Sequence, residues 1–384
     1  MSDLQNLPSG GGKPSPKHKK RDSNLELFRI ITMLFIVAHH YVVNSGLTAA
    51  GGPIQSAPLS GRSIFLLLFG AWGKTGINCF VMITGYFMCK SQISAKKFAK
   101  LVFEFMFYRM VIYLIFLISG YEPFSIKTFV KTVIPITQIN TNFTSCFVMF
   151  WLFIPFLNML IQKMNERQHI HLILLSSFLY VILGTVKQVT MNYVSWFIVL
   201  YFIASYFRLY SKKSFDNKKL WGILTIFTIL VSSTSVIACA WLGTKISKFL
   251  PFYFVTDSNT ILATVTGICA FMFFKNIKLK YSPIINTIAA STFGVLLIHA
   301  NSDTMRQWLW KDTLDNVGHF KSSLMPLHAI GSVLGIFAVC VIIDIIRINL
   351  LEKPFFKFWD KHWDGFLAKL KKVEDKIFKK FNVE

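Results

Sequence analysis

The first apolar stretch of the chain reads LFRIITMLFIVAHHYVV and runs from residue 27 to residue 43. Within it, Arg29 and His40 stand eleven positions apart, which on a helix is about 1100°, within about 20° of three full turns. Both side chains are therefore predicted on one face, about 16 Å apart along the axis. In a hydrocarbon layer about 30 Å thick, Arg29 would lie at one boundary and His40 near mid-depth. Ionisable residues inside a membrane are costly and usually functional, so this pair predicts a site.

The composition is that of an integral membrane protein. Of 384 residues, 53% are apolar and only 15% are charged, and the mean hydropathy is +0.51. Soluble domains carry about 25% charged residues, so most of this chain is predicted to lie in lipid.

Apolar runs of about the length that crosses a bilayer recur ten times. The predicted spans are 27–43, 63–88, 101–119, 143–161, 170–186, 193–207, 220–242, 261–274, 284–299 and 328–350. The second is overlong and interrupted around Gly70, Gly73 and Lys74, which indicates a kinked or re-entrant entry. The predicted fold is an all-α, polytopic membrane helix bundle with about ten transmembrane helices and a C-terminal amphipathic helix.

The distribution of positive charge predicts the orientation. The net charge is +23, and 30 of the 41 Lys and Arg residues fall in segments that are cytoplasmic if the N-terminus is inside. Ten fall in the opposite loops, and Arg109 lies within the third span. This bias predicts a multi-pass protein of the cell membrane with both termini in the cytoplasm. Because the basic residues lie between apolar runs, nucleic acid is not an expected partner.

Two basic segments flank the predicted membrane domain, which covers residues 23–352. Residues 1–22 are predicted as a disordered cytoplasmic lead. The lead and first apolar run could also form a cleavable signal peptide, but that run is long and carries two histidines, which favours an uncleaved helix. Residues 353–384 alternate lysines with apolar residues at steps of three and four, which predicts an amphipathic helix on the inner leaflet. A short coiled-coil partner helix is the alternative for this tail.

Motifs of other enzyme classes are missing from the sequence. The six cysteines lie in or beside apolar runs without paired spacing, so they predict neither a disulfide framework nor a metal cluster. There is no phosphate-binding glycine loop, serine elbow or zinc-binding histidine pair. No internal repeat is evident, which counts mildly against an inverted-repeat transporter.

The chemistry of the first helix suggests group transfer across the membrane. A neutral imidazole at His40 is suited to take a proton from a hydroxyl. The guanidinium of Arg29 is suited to bind an anionic, phosphate-bearing donor from the cytoplasm. His39 points about 80° away from Arg29 and is predicted as a packed or hydrogen-bonded neighbour. Glu26, one turn before Arg29, could form only a boundary ion pair with it.

Five segments, spread over nearly the whole predicted membrane region, match one family pattern. They are Asn24-Leu-Glu-Leu-Phe-Arg29 with Ala38-His39-His40, Gly76 to Thr84-Gly85-Tyr86-Phe87, Pro155-Phe-Leu-Asn158, Ser291-Thr-Phe-Gly294 with Leu297-Ile-His299, and Ile343-Asp344 to Arg347. In these segments the chain resembles the acyltransferase-3 family of membrane O-acyltransferases. The family's signature of an arginine, ten residues and a histidine falls on Arg29 and His40.

The resemblance implies an enzyme that moves an acyl group, usually acetyl, from cytoplasmic acyl-CoA to a carbohydrate hydroxyl on the outer side. His40 would act as general base or assist attack on the thioester, and Arg29 would bind the CoA end. The family's basic cluster corresponds to Lys96, Lys97 and Lys100. Because no extracytoplasmic hydrolase-like domain is present in the sequence, the expected acceptor is a surface polysaccharide or its lipid-linked precursor.

Some positions depart from the family pattern on the predicted acceptor side. The fourth span begins Asn142-Phe143 and carries Phe147, where the family often has a Trp-Phe pair and a tyrosine. In the ninth span, Leu296 and Ala300 replace a usual tyrosine and acidic residue.

Further ionisable residues complete the candidate site. His299 is retained from the family motif and could orient the acceptor or cap the span at the interface. Glu104 or Asp344 could supply a carboxylate partner for His40 if the helices bring them together. Asp344 could instead pair with Arg347. Arg109 could line a passage through the membrane between Arg29 and His40. No metal is expected.

Two other function classes compete with the transferase. Arg29, Arg109 and His299 could be the binding groups of a secondary transporter or flippase for an anionic lipid-linked sugar. A scaffold in a polysaccharide assembly complex is the third class. The expected partners are acyl-CoA, a surface polysaccharide or lipid-linked glycan, and membrane lipid, with a homo-oligomer left open.

Overall fold

The structure is a computed structural model that describes residues 23–91, 93–134, 143–187 and 192–380. The predicted lead, residues 1–22, lies outside the described residues, and so does Asn142. Seventeen α-helices make up the described part of the chain, joined by short turns and π-helical or 3-10 segments, with no strand among the described residues. The prediction of an all-α helix bundle is confirmed.

The helices follow the apolar runs of the sequence. They are α1 Asn24–Val43, α2 Pro53–Ser56, α3 Gly61–Gly70, α4 Gly73–Met88, α5 Ala95–Ile118, α6 Ile126–Val133, α7 Phe143–Lys163, α8 Glu166–Ser177, α9 Gly184–Val186, α10 Tyr193–Leu209, α11 Lys218–Lys245, α12 Ile261–Lys275, α13 Pro283–Ala290, α14 Thr292–His299, α15 Asp303–Gln307, α16 Met325–Arg347 and α17 Lys353–Lys380.

Seven helices of the described chain are long and apolar enough to cross a membrane. The ninth predicted span coincides with Pro283–His299, which forms a bent pair with the segment Asp303–Lys321 at an angle of 92°. The sixth and eighth predicted spans coincide with the shorter apolar helices Tyr193–Leu209 and Ile261–Lys275. Every predicted span thus has a helical counterpart, while the count of ten crossings stays a prediction.

Helix boundaries are set by local side-chain hydrogen bonds. Ser94 accepts from the backbone N–H of Lys97 at the start of α5. Asn165 and Gln168 form a reciprocal capping box at the start of α8. These contacts satisfy N–H groups that have no partner within the helix. The predicted interruption of the second span lies between Gly70 and Gly73, where α3 ends and α4 begins.

α1 is the central helix and packs against α3, α4, α13, α14 and α16. Glycines let α4 approach it closely. A Cβ on Gly76 would lie 2.9 Å from the carbonyl oxygen of Thr32, and one on Gly73 would lie 2.3 Å from the Cβ of His39. Larger residues at either position would push the two helices apart.

Polar contacts secure the end of the bundle at which α1 begins. The hydroxyl of Ser23 donates to Asn286 Oδ1 at 2.7 Å. The amide of Asn24 donates to the carbonyl of Lys275 at the end of α12. At the same end, α16 continues through a π-helical segment, Ile348–Glu352, into α17 without a break. The predicted boundary between the membrane domain and the tail therefore lies within a continuous helix.

Candidate active site

A cavity of about 560 Å³ lies at the opposite end of the bundle, where α1 ends. His40 and His39 line it from α1, together with Val43 and Asn44. Most of its other walls are polar side chains from α4–α7, α10 and the segment after α14. They are Lys74, Arg109, Tyr113, Glu122, Thr128, Lys131, Thr132, Thr144, Tyr193, Asn301, Ser302, Asp303, Thr304 and Arg306. Such a surface can form many hydrogen bonds with a hydroxyl-rich ligand.

His40 contacts a second imidazole. Its Nδ1 lies 2.9 Å from Nε2 of His299, and Nδ1 of His299 lies 2.6 Å from the carbonyl oxygen of Val295. A carbonyl can only accept, so Nδ1 of His299 carries the proton and Nε2 of its neutral ring is an acceptor. His40 therefore donates from Nδ1 to His299. In this tautomer His40 Nε2 bears a lone pair.

The lone pair of His40 is free to act on a ligand. Among the described residues, none forms a hydrogen bond with His40 Nε2. His40 lines the cavity and is partly exposed there, whereas His299 is 1% exposed. A histidine oriented through Nδ1 with Nε2 facing a cavity is the arrangement of a general base.

His39 occupies the adjoining wall. Its Nδ1 donates to the carbonyl of Gly70 at 2.7 Å, where α3 ends. This is the hydrogen-bonded neighbour that the helical count predicted. Its ring fits against Gly73, since any Cβ there would overlap it.

Cations outnumber anions on the cavity wall. Lys74 contacts the Tyr193 hydroxyl at 3.0 Å and Asp257 at 3.5 Å. Arg306 donates to Asp303 at 2.7 Å, while its Nε is buried without a hydrogen bond.

Arg109 also lines the cavity, as the sequence suggested, and donates to the carbonyls of Lys131 and Thr132. The sequence analysis did not predict that Lys74 and Arg306 line the cavity. For Lys74, the available signal was a lysine beside Gly73 within an overlong apolar run.

Arg29 does not line this cavity. Its Nη1 donates to Glu26 at 3.0 Å, so the boundary ion pair exists. Its guanidinium carbon lies 6.0 Å from the ring centroid of Phe80.

Phenylalanines fill the space between Arg29 and the cavity. Phe80 packs against Phe147 at 5.9 Å between ring centroids, and Phe147 stacks on Phe143 at 5.9 Å. Phe143 lines the cavity. A column of three aromatic rings thus lies between Arg29 and the cavity that His40 lines.

Glu104 lies in a separate ion cluster near the opposite end of the bundle. Arg347 is 3% exposed; it contacts Glu104 at 3.3 Å, Asp344 at 2.8 Å and Glu352 at 2.7 Å. Along α16, Arg347 is about 28 Å from His328, which contacts Tyr41 beside His40. Asp344 lies nearer, beside Gly294 on α14, but its carboxylate accepts from Tyr108 and Arg347. The helices therefore do not bring Glu104 or Asp344 to His40.

His40 has an imidazole partner, His299, where a carboxylate was expected. The carboxylate of Asp344 packs against α14 at Gly294 instead, where a Cβ would lie 2.4 Å from it.

The three lysines of the predicted basic cluster have different partners: one lies on α17, one in the π-helical segment before it and one beside the start of α5. Lys96 pairs with Asp360 at 2.6 Å, and Lys100 pairs with Glu352 at 3.2 Å. Lys97 donates to the Ser91 hydroxyl at 3.0 Å. All three lysines lie at the end of the bundle where α1 begins, as Arg29 does.

Two of the positions that depart from the family pattern line the cavity around His40. Leu296 comes from α14 and Ala300 from the turn that follows α14. Phe143, which matches the phenylalanine of the family's Trp-Phe pair, lines the same cavity from α7.

A comparison with protein families finds one match. The model described as "Acyltransferase domain", that of the acyltransferase-3 family, matches residues 22–345. The matched range includes His40, His299 and all of the helices around the cavity. No curated protein and no solved structure matches the chain.

Proposed function

Because the chain belongs to the acyltransferase-3 family, and is thus a membrane acyltransferase, we propose that it moves an acetyl or other short acyl group from cytoplasmic acyl-CoA to a hydroxyl of an extracytoplasmic polysaccharide or its lipid-linked precursor. The observation that carries the proposal is the hydrogen-bond sequence His40–His299–Val295, which leaves His40 Nε2 directed to a polar cavity.

The reaction proceeds through His40 as the base. An acceptor hydroxyl transfers its proton to His40 Nε2 while its oxygen attacks the thioester carbonyl carbon. The carbon–oxygen ester bond forms, the carbon–sulfur bond breaks, and the CoA thiolate leaves. The imidazolium then returns the proton to the sulfur, which gives free CoA and the neutral base. His299 accepts from His40 Nδ1 throughout and stabilises the reactive orientation of the ring.

The donor enters from the end where α1 begins. The excess of basic residues in the segments at this end supports its placement in the cytoplasm. Arg29, Lys97 and Lys100 lie there and attract the phosphates of CoA. The thioester then reaches His40 past Phe80, Phe147 and Phe143, whose side chains must change rotamer to let the arm through. In this proposal Arg29 and His40 thus serve one path, along which the three phenylalanine rings lie.

Labelled acetyl-CoA tests this function directly. Purified protein in nanodiscs, given the surface glycan of the host cell, should transfer label to the glycan. His40→Ala should reduce the rate by about 10²- to 10⁴-fold. His171→Ala is the matched control, because it removes an exposed imidazole from α8. If the glycan's ester content requires the chain but not acetyl-CoA or His40, the chain is not the transferase, and a transporter or scaffold role would be favoured.

A further inference from the structure

A long apolar groove lies on the other side of His299 from the polar cavity. Its walls are one face of α5, the end of α14 with α15, and one face of α16. The α16 residues recur at steps of three and four from His328 to Arg347. This face extends over nineteen helical steps, about 28 Å of helix axis.

The groove opens sideways toward the bilayer. Ile115 of α5 and Val339 of α16 line it and are 57% and 56% exposed. On α16, Gly331 and Gly335 also line it, and a Cβ at either position would meet no atom within 4 Å. Tyr108 lines the groove, and its hydroxyl donates to Asp344 at 2.8 Å. The groove is therefore a slot with an open side.

One end of the groove meets the polar cavity at a shared rim. On α15, Met305 lines the groove and the next residue, Arg306, lines the cavity. After α5, Tyr121 lines the groove and Glu122 lines the cavity. One amphiphilic molecule could therefore place its chain in the groove and its polar head in the cavity over His40.

On these observations we propose that the groove binds the polyprenyl chain of a lipid-linked glycan, whose sugar enters the cavity as the acyl acceptor. The inference rests on the proposed function and narrows it, since it selects the lipid-linked precursor over finished polysaccharide. The phosphate that joins chain and sugar lies at the rim beside Arg306, whose Nε is buried without a hydrogen bond.

The length of the groove favours a polyprenyl chain over an ordinary phospholipid. A phospholipid tail occupies one leaflet, about half of a hydrocarbon layer of about 30 Å. The groove follows α16 for nearly the whole layer. An apolar chain longer than one leaflet buries more surface there, and its binding free energy rises by about 0.8 kcal/mol for each buried methylene.

Photocrosslinking tests the groove independently of catalysis. The probe is a long-chain polyprenyl phosphate with a diazirine in an isoprene unit near the phosphate, added to the full-length protein in phosphatidylcholine nanodiscs. Labelled peptides should come from α5 and α16. Unlabelled long polyprenyl phosphate should compete, whereas geranylgeranyl phosphate and added phosphatidylcholine should compete far less.

Two variants on neighbouring residues locate the site. Gly335→Trp fills the groove and should lower labelling by about tenfold, equivalent to about 1.4 kcal/mol of binding. Leu334→Trp places the same ring on the exposed face of α16 outside the groove and should leave labelling unchanged. Gly335→Ala should have little effect and shows that folding tolerates a side chain there.

Several results would overturn the inference. Equal labelling of all lipid-facing helices, equal competition by phosphatidylcholine, or no difference between the two tryptophan variants would each do so. Efficient disulfide crosslinking between two copies of Gly335→Cys would instead assign the groove to a second copy of the chain. His40→Ala should label normally, because the groove is separate from the base. A wild-type chain that binds the probe but transfers no acetyl would contradict the proposed function and leave the assignment of the groove intact.

Discussion

Nδ1 of His40 and Nε2 of His299 lie 2.9 Å apart, although the two residues are 259 positions apart in the sequence. The carbonyl of Val295 determines which nitrogen of His299 is protonated, and His299 in turn determines the tautomer of His40. In the proposed reaction the pair is therefore a positioned base without a carboxylate. Its neutrality suits a site enclosed by helices, because an unpaired carboxylate there would be costly to desolvate.

Replacement of His299 should separate positioning from binding. In His299→Ala, His40 Nδ1 loses its acceptor and the ring can adopt the unreactive tautomer. We expect kcat to fall by roughly 10- to 100-fold, a loss of part of the contribution of general base catalysis. The KM for acetyl-CoA should change little, as measured by labelled transfer in nanodiscs.

The variant His299→Gln is the control for this prediction. Its side-chain oxygen can accept from His40 Nδ1, so kcat should recover in part. A purely structural role for His299 would make both variants equally inactive and equally unstable. Thermal unfolding of each variant, measured beside its kcat, distinguishes the two cases.

Gly73→Ala should disturb the wall that holds His39. The added Cβ would lie 2.3 Å from the His39 Cβ, and neither helix can retreat easily in a packed bundle. Overpacking of this kind costs about 1–3 kcal/mol of stability. We expect a lower melting temperature and a higher KM for the acceptor. Gly61→Ala is the matched control, because its Cβ would meet no atom within 4 Å; equal effects of both changes would contradict the prediction.

Arg347→Ala should destabilise the bundle strongly. Arg347 neutralises Glu104, Asp344 and Glu352 in a buried cluster, and its loss leaves carboxylates facing one another. Breaking a buried ion pair in this way costs about 3–5 kcal/mol. Thermal unfolding in detergent measures the loss.

A second change should compensate for the first. Arg347→Met combined with Asp344→Asn should recover part of the stability lost in Arg347→Ala, because the double variant removes both charges of the Arg347–Asp344 ion pair. Lys212→Gln interrupts the exposed pair with Glu166 and should have a much smaller effect. If the Arg347 variant is as stable as the Lys212 variant, the buried ion cluster does not stabilise the fold.

Asp360→Asn should strengthen donor binding. It releases Lys96 from an ion pair of 2.6 Å at the end of the bundle where CoA is proposed to enter. Exposed pairs are worth less than about 1 kcal/mol, so we expect the KM for acetyl-CoA to fall by no more than about fivefold. The gain should disappear at high salt because the interaction is screened.

Asp375→Asn provides the matched control for Asp360→Asn. It makes the same change of charge fifteen residues later on α17, about 22 Å along the helix, beyond the screening length at physiological salt. An equal fall of KM in both variants would reflect net charge alone. No fall in Asp360→Asn would contradict the placement of CoA phosphates beside Lys96, Lys97 and Lys100.

Much of the fold could be predicted from local sequence because lipid imposes simple rules. A span needs about twenty apolar residues, and its backbone must form its own hydrogen bonds. The helices therefore coincide with the apolar runs, including the break beside Gly70 and Gly73. The family match likewise confirms the resemblance that began with Arg29 and His40.

The partners of the ionisable residues could not be predicted in the same way. Helical periodicity places two residues of one helix on a common face, but it does not identify the helix that packs against that face. His299 reaches His40 because α14 packs on α1, and Glu104 reaches Arg347 because α5 and α16 meet near the opposite end. The filling of the path by Phe80 and Phe147 also depends on contacts between distant segments.

The sequence by itself determined which segments form apolar helices, where the positive charge lies along the chain, and which imidazole of the first helix was the candidate for the site. Those properties depend on the partition of each residue between water and lipid and on the period of a single helix. Only the tertiary structure decided that an imidazole contacts His40 and that aromatic rings lie between Arg29 and the cavity. The tertiary structure alone also places a polar cavity beside an apolar groove. These features arise where side chains from helices far apart in sequence interlock, and that packing is specified by shape rather than by hydropathy.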